Sequence, residues 1–396
     1  MPNISHIPPH SEAIAPLKNK SPRDMRLDFF RGVAFVIIFI AHSNGNILWD
    51  YIPARFGLSD ATELFIFISG YAAALAFGGA FVKIGFKAGL ARIFLRISQL
   101  YLAHIMTVFG VIALTAQATL LTGIDYVVRL QIAPFLSEPA TTSAHIFVLR
   151  YVPPYLDILP VYMAILAAVP LVMVLAKIWV KLPIWLSFLL YCGNLLHPLN
   201  FSSDPNSDKV WLMNPLAWQF LFFLGFGFSR KWLALPRQFL FRQCVTILSL
   251  IFVALGLLLR LSEQHHLNFI AENLTALSHR LEIYPSKPNL DPFRLLHFLA
   301  TAWLAFLILA EPRQAILQKW GGRVFVHLGR QGLVVFLVGI FLSHLSGIAF
   351  DWFGRAATLQ IAVNLVAIFI MYGAASLSAW IKSRPWQVSP TALKVP

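Results

Sequence analysis

Runs of about 20 consecutive apolar residues recur along the whole chain, and no other feature restricts its fold so severely. Each run is long enough to cross a hydrocarbon core of roughly 30 Å as a helix. The runs are continuous, without the period-two alternation of a barrel strand, so helices are expected. Charged residues make up 12% of the 396 residues and hydrophobic residues 58%. A soluble domain carries about 25% charged residues. With a mean hydropathy of +0.71, the chain reads as an all-α, polytopic integral membrane protein. About ten transmembrane helices are expected, near 29–48, 61–80, 92–116, 158–176, 183–199, 213–229, 242–260, 294–310, 325–347 and 356–380. Pro160 and Pro170 are expected to kink the fourth.

The formal net charge is +14. Nucleic-acid binding is not the reading it supports, because the basic residues sit at helix ends and no basic patch interleaves with aromatics. Retention of basic loops in the cytoplasm explains the charge more simply. With the N-terminus cytoplasmic, most of the 31 Lys and Arg residues fall on that side, among them Arg23, Arg26, Arg31, Lys83, Lys87, Arg92, Arg96, Arg230, Arg242, Arg323, Arg330 and Lys382. Of the 17 acidic residues only Glu12, Asp24, Asp28 and Glu311 join them. Both termini are therefore expected in the cytoplasm. The organisation read from this is a partly disordered tail over 1–28, one transmembrane domain over 29–380 and a second tail over 381–396. Long external loops are expected at 117–157 and 261–293. Cys192 and Cys244 fall in or near different spans and have no metal spacing, so a structural disulfide is not expected. His265, His266 and His279 lack the carboxylate spacing of a zinc site. No metal is expected. A homo-oligomer is compatible with the composition, since lipid-facing and partner-facing apolar surfaces look alike.

The polar groups of the first two spans carry the chemistry. Arg31 and His42 stand about 16 Å apart along a helix, so His42 lies past the middle of the hydrocarbon core if Arg31 marks the inner interface. Ionisable groups at such depth are expensive and mark functional sites. Imidazole near neutral pH is suited to take a proton from a hydroxyl. Gly45, between Asn44 and Asn46, is expected to unwind the helix end and widen a cavity there. Asp28 either orients Arg31 or caps the helix start. Asp60 reads as a cap of the second helix. Glu63, one turn deeper, is a partner for His42 or a ligand for substrate. Ser69 beside Gly70 is either a nucleophile or a small-residue packing contact. Asp28, Asn44, Asp60, Ser69, Asp157, Asn214 and His344 are candidates for the acceptor site or its cavity, and Trp211 and Trp218 read as interfacial aromatics. Arg330, between Gly329 and Gly332, either adds to an inner anion site or marks close helix packing.

The segments RDMRLDFFRG, FGLSDATELFIFISGY, YLDILPVY, NPLAWQFLFFLG and GRQGLVVFLVG follow one another between residues 23 and 339. Arg31 and His42 at their spacing, with Phe65, Phe67, Ser69, Gly70 and Tyr71, resemble the membrane acyltransferases that O-acylate extracytoplasmic sugars. The five segments in order more closely resemble the OpgC proteins, which succinylate osmoregulated periplasmic glucans. The resemblance implies a multi-pass protein of the bacterial inner membrane. It implies an acyl-CoA co-substrate, succinyl-CoA above all, and a periplasmic glucan acceptor, with no cofactor. His42 would be the general base with Glu63. Arg26, Arg31, Arg92, Arg96 and Arg330 would bind CoA phosphates, since guanidinium pairs bidentately with phosphate. Arg92 and Arg96 are four residues apart, wider than the basic pair of the broader family. The alternative is a transporter of a glucan or small anion, with the same polar residues lining its path.

Overall fold

A computed structural model describes residues 24–233, 238–263, 286–310 and 313–387. Among the described residues the secondary structure is helical, apart from one isolated bridge between Ser202 and Val210. The helices are α1 (Met25–His42), α2 (Ala61–Ala73), α3 (Phe86–Thr122), α4 (Ile158–Ala167), α5 (Val169–Ile178) and α6 (Leu182–Leu196). They continue with α7 (Pro215–Ser229), α8 (Phe239–Glu263), α9 (Pro292–Ile308), α10 (Trp320–Arg330), α11 (Gly332–Phe353) and α12 (Ala357–Lys382). A π-helical turn, Ala74–Gly78, carries α2 on into Gly79–Lys83. Among the described residues six stretches are long and apolar enough to cross a membrane: Ala61–Lys83, Phe86–Thr122, Ile158–Ile178, Phe239–Leu261, Gly332–Phe353 and Ala357–Lys382. Leu182–Leu196, Pro215–Ser229 and Pro292–Ile308 are apolar but shorter. The chain is a multi-pass membrane protein.

Each run expected from the sequence coincides with a helix or a helix pair, and the departures have local causes. The first helix starts at Met25, ahead of the expected 29, because Asp24 caps it and accepts the Arg26 N–H at 2.9 Å. Pro160 makes no kink, since it lies in the first turn of α4, where its missing N–H has no partner to lose. Pro170 does coincide with a break, at Ala168 between α4 and α5. The expected single ninth span is two helices, α10 and α11, parted at Gln331. The Gln331 Oε1 accepts from Lys382 at 2.7 Å and from Ser378 at 3.1 Å, tying the break to α12. The loop expected at 117–157 begins later, because α3 runs to Thr122 and ends on Gly123 at φ 71°. The rest of it folds as Tyr126–Arg129, Ala133–Ser137 and Pro139–Phe147. Of the loop expected at 261–293, residues 264–285, including His265, His266 and His279, lie outside the described residues. Cys192 and Cys244 are free thiols.

Two glycine-mediated contacts hold the centre. Apolar helices in lipid gain little from hiding side chains from one another, so small residues that let backbones approach dominate their packing. A Cβ on Gly32 of α1 would stand 2.0 Å from the Phe325 carbonyl oxygen of α10, and one on Gly329 would stand 1.8 Å from that of Asp28. The same reciprocity joins α2 to α7: a Cβ added to Gly70 would overlap the Phe222 oxygen, and one added to Gly225 would overlap the Phe67 oxygen. Phe35, Phe65 and Phe336 then pack between α1, α2 and α11, with Phe65 and Phe336 stacked at 5.8 Å. Peripheral α8 turns Leu240, Phe241, Leu248 and Ile251 outward, as a lipid-facing helix would.

Valine at Gly32 or Gly70 forces backbones apart and is expected to cost at least the roughly 1–3 kcal/mol of an overpacked core. Thermal unfolding in detergent should show a clear drop in midpoint for either variant. Gly79→Ala, where nothing lies within 4 Å of the added carbon, should leave the midpoint unchanged.

Candidate active site

The polar residues gather at two levels of the bundle, one at each end of α1. At the His42 end, α1 finishes because its last carbonyls are taken by side chains and by the Ser43 N–H. Ser43 Oγ donates to the Phe39 oxygen at 2.8 Å, and His42 Nδ1 lies 2.6 Å from the Ile38 oxygen. A carbonyl can only accept, so Nδ1 carries the proton, and the neutral ring keeps its lone pair on Nε2. Gly45 then turns the chain at φ 72°. Beyond it Asn46 and Asn364 of α12 exchange hydrogen bonds at 2.8 and 3.0 Å, and Gln360 accepts the Ile47 N–H at 2.6 Å. The unwound segment is therefore fastened.

Facing His42, the start of α2 forms a capping box. Asp60 accepts the Thr62 N–H at 2.6 Å, and Glu63 accepts the Asp60 N–H at 2.8 Å. Both carboxylates also bind cations from distant sequence. Arg294 on α9 reaches Glu63 at 2.6 Å and Asp60 at 3.2 Å, and Lys287 reaches Asp60 at 2.9 Å. Glu63 is fully buried and Arg294 is 7% exposed. The expectation that Glu63 partners His42 is thus corrected at the level of contacts: Ile38 holds the imidazole, and Glu63 is committed to Arg294. Lys287 and Asp60 are in electrostatic range of His42, as is His344 of α11. The Nε2 of His344 is buried without a hydrogen-bond partner.

The Lys287 segment is positioned by the start of α7. Asn214 caps that helix, and its amide donates to Asn194, Leu199 and Asn289 at 3.2, 2.8 and 3.0 Å. Its N–H donates to the Pro288 oxygen at 2.8 Å. The indole N–H of Trp218 is directed at the Lys287 and Pro288 oxygens at 3.2 and 3.1 Å, and the Tyr191 hydroxyl donates to Leu290 at 2.7 Å. Asn214 is therefore used up in positioning rather than presented to a cavity, and Trp218 is fully buried rather than interfacial. Asp157 stands at the start of α4, in electrostatic range of Lys287. Burial pushes its carboxyl above the usual range, with Lys287 pulling it back. Asn44 is exposed beside Gly347. Ser69 is buried beside Gly70, at the α7 contact. The serine that does meet an imidazole is Ser59, whose Oγ lies 2.8 Å from His297 Nδ1.

At the opposite level, Arg31 lies 3.3 Å from Asp28 and donates to the Gly329 oxygen at 3.2 Å. Asp28 also faces Arg330 at 3.7 Å, with Arg330 46% exposed. Tyr162 of α4 meets the Arg96 guanidinium, with Arg31 in electrostatic range. Arg31, Arg96 and Arg330 thus share this end. Arg26 pairs with Asp24 at 2.7 Å and lies over the Phe306 ring, while Arg92 is exposed one turn from Arg96. Lys287, Arg294 and His297 were not singled out from the sequence. Only the presence of ionisable side chains at the start of an apolar run pointed to the last two.

Removing Arg294 alone strands Glu63 as a buried charge, which costs about 3–5 kcal/mol. Arg294→Met should lower folded yield and thermal midpoint sharply, and Arg294→Met with Glu63→Met should recover most of the loss. Equal losses in the single and double variants would show that the two side chains do not act as a pair.

A family model described as OpgC protein matches residues 23–383. No curated protein and no solved structure matches the chain.

Proposed function

The chain belongs to the OpgC protein family, and on that premise we propose that it is an integral-membrane O-acyltransferase. In this reading the Arg31 end faces the cytoplasm and the His42 end faces the periplasm across the bacterial inner membrane. The donor is an acyl-CoA, succinyl-CoA above all, and the acceptor is a hydroxyl of an osmoregulated periplasmic glucan. The observation that carries the reading is His42 itself, held through Nδ1 by the Ile38 carbonyl, with its other nitrogen left as the basic one.

Arg31, Arg96 and Arg330 hold the CoA phosphates, since guanidinium groups make charge-assisted hydrogen bonds to phosphate oxygens. The thioester arm runs along α1 past the ring cluster of Phe35, Phe65 and Phe336 to reach His42. There Nε2 takes the acceptor hydroxyl proton as the hydroxyl oxygen attacks the thioester carbonyl. The carbon–sulfur bond breaks, the sugar ester forms, and the imidazolium returns the proton to the departing thiolate as CoA thiol. Lys287 and His344 meet the negative charge that gathers on the carbonyl oxygen, the term that such sites exploit most. Glu63, Asp60 and Arg294 are positioning residues: they hold the cationic side of the site against α2.

His42→Ala is expected to lower acyl incorporation by roughly 10²–10⁴-fold, the usual contribution of a general base. Mass spectrometry of periplasmic glycans reads this directly, and the mass increment in the wild type identifies the acyl group. The glucan itself should still appear outside. If it does not, the same side chains serve transport; if acylation persists unchanged, His42 is not the base.

Arg96→Ala removes one charge-assisted contact, worth about 1.5–3 kcal/mol. The KM for acyl-CoA should rise roughly 10–100-fold with kcat little changed in reconstituted vesicles.

A further inference from the structure

Behind Tyr155, which packs on His42, lies a half-open cavity of about 320 Å³ that the site described above does not use. Its wall joins segments far apart in sequence, at 131, 151–157 and 203–212. Small-molecule sites span about 300–1,000 Å³, so the space suits a single small unit rather than a long chain. Tyr155 belongs to this wall and also packs edge-on against His42, their ring centroids 5.0 Å apart. A molecule lying in the cavity is therefore one aromatic ring away from the imidazole.

Two kinds of observation mark the cavity as built for a ligand. The first is unmet polarity. Asp157 Oδ2 and Trp211 Nε1 are buried without a hydrogen-bond partner, while the Asp157 carboxyl also meets the Leu212 and Met213 backbone, and both residues line the cavity. One is an acceptor and the other a donor. Buried polar groups left unpaired cost free energy, and native chains keep few of them. The second is backbone strain. Gln131 at φ 54° and Tyr155 at φ 68° are non-glycine residues in the left-handed region, and both line the cavity. Strain of this kind gathers at ligand sites.

The lining also selects the chemistry of the occupant. Asp157 and Asp204 put carboxylates on the wall, while the wall's lysine, Lys209, donates to Gln131 Oε1 at 2.6 Å. Lys209 keeps its charge in that bond, so two carboxyls against one ammonium leave the wall with no cationic excess to hold an anion. The Tyr151 hydroxyl is pushed up to about 12 by burial, with Asp204 adding to it, and it donates to the Gln131 carbonyl at 2.7 Å. It therefore stays neutral and adds no negative charge in use. What remains is a set of flat rings from Tyr151, Tyr155 and Trp211 beside an unmet donor and acceptor. Aromatic faces of this kind take the C–H face of a sugar ring, and the orphaned pair takes its hydroxyls.

We propose that this cavity is an acceptor subsite that binds one neutral hexose unit of the glycan, with Tyr155 standing between that unit and His42. Asp157 accepts from a sugar hydroxyl and the Trp211 indole N–H donates to another. The subsite fixes which hydroxyl of the neighbouring unit reaches Nε2. The assignment rests on the acyltransferase reading of His42, but sugar binding in the cavity does not require transfer to occur.

Isothermal titration calorimetry tests it on the full chain in lipid nanodiscs, without any acyl donor, using a short neutral β-linked glucose oligosaccharide as probe. The wild type should bind saturably. Trp211→Phe keeps a ring but removes the N–H, and should weaken binding at least tenfold. Tyr155→Gly removes the ring at a position that is 45% exposed and whose φ suits glycine. It should fold as well as the wild type and also lose at least tenfold, which keeps the test sharp if Trp211→Phe misfolds. Absent saturable binding, or equal affinity in the wild type and both variants, overturns the subsite. Acyl transfer to the same oligosaccharide is read separately. Binding that depends on Trp211 and Tyr155 without any transfer upholds the subsite and removes the acyltransferase reading instead.

Discussion

Everything in this bundle depends on two places where helix backbones touch. Gly32 and Gly329 bring α1 onto α10, and Gly70 and Gly225 bring α2 onto α7, each glycine facing a carbonyl oxygen of the partner helix. A side chain at any of the four would occupy space already held by the other backbone. Because apolar helices in lipid have no hydrophobic reason to choose one neighbour over another, these contacts do the choosing. They set α1 between α2, α10 and α11, and so decide what Arg31 and His42 face. The contact also explains an electrostatic detail. With α10 drawn so close and interrupted at Gln331, the Gly329 carbonyl becomes available to Arg31 at 3.2 Å.

The second dependency is ionic. Asp60, Glu63, Lys287 and Arg294 form one ionic group, in which the buried members, Glu63 and Arg294, would each be costly alone. They are tolerated because every carboxylate meets a cation and because the capping box at α2 fixes the carboxylates first. The cations come from a segment that Asn214, Trp218 and Tyr191 fasten by hydrogen bonds to its backbone. Asn214 thus has its effect at a distance. It caps α7 and, through Asn289 and Pro288, sets the height of Lys287 over Asp60. This gives the segments NPLAWQFLFFLG and FGLSDATELFIFISGY a joint purpose, since the first holds the partner of the second and also supplies the Phe222 carbonyl that Gly70 faces.

Some of the site was legible from residue type and position. His42 and Arg31 stood out because polar groups in lipid-length helices are conspicuous, and the two ends they mark are indeed separate polar levels. Asp60 announced itself as a cap through the Ser59–Asp60–Glu63 spacing. Gly45 announced a helix end, and it lies three residues past the last residue of α1. Other roles were invisible. Glu63 reads from the sequence as a partner for His42 or a ligand for substrate, yet the imidazole takes a carbonyl of its own helix, four residues back. That choice is local geometry at a helix terminus, where the imidazole of the last helical residue folds back onto the Ile38 oxygen one turn before it. Arg294 and Lys287 are more than 200 positions from the carboxylates they bind. No spacing rule connects them.

What the sequence by itself determined is the class of object: long apolar runs with few charges, which only helices crossing a bilayer can accommodate, because backbone groups in hydrocarbon must bond within their own segment. It also placed each apolar run on a helix or helix pair, with ends that differ by up to six residues, as for 92–116 against Phe86–Thr122. The tertiary structure alone decided which helices touch and which polar groups meet. The four packing glycines, the ion pairs around Glu63 and the cavity behind Tyr155 each join stretches far apart in the chain. In a membrane protein every apolar face looks equally able to pack. Partner choice therefore rests on a few atoms of steric clearance and on pairing of buried polar groups, neither of which leaves a period in the sequence.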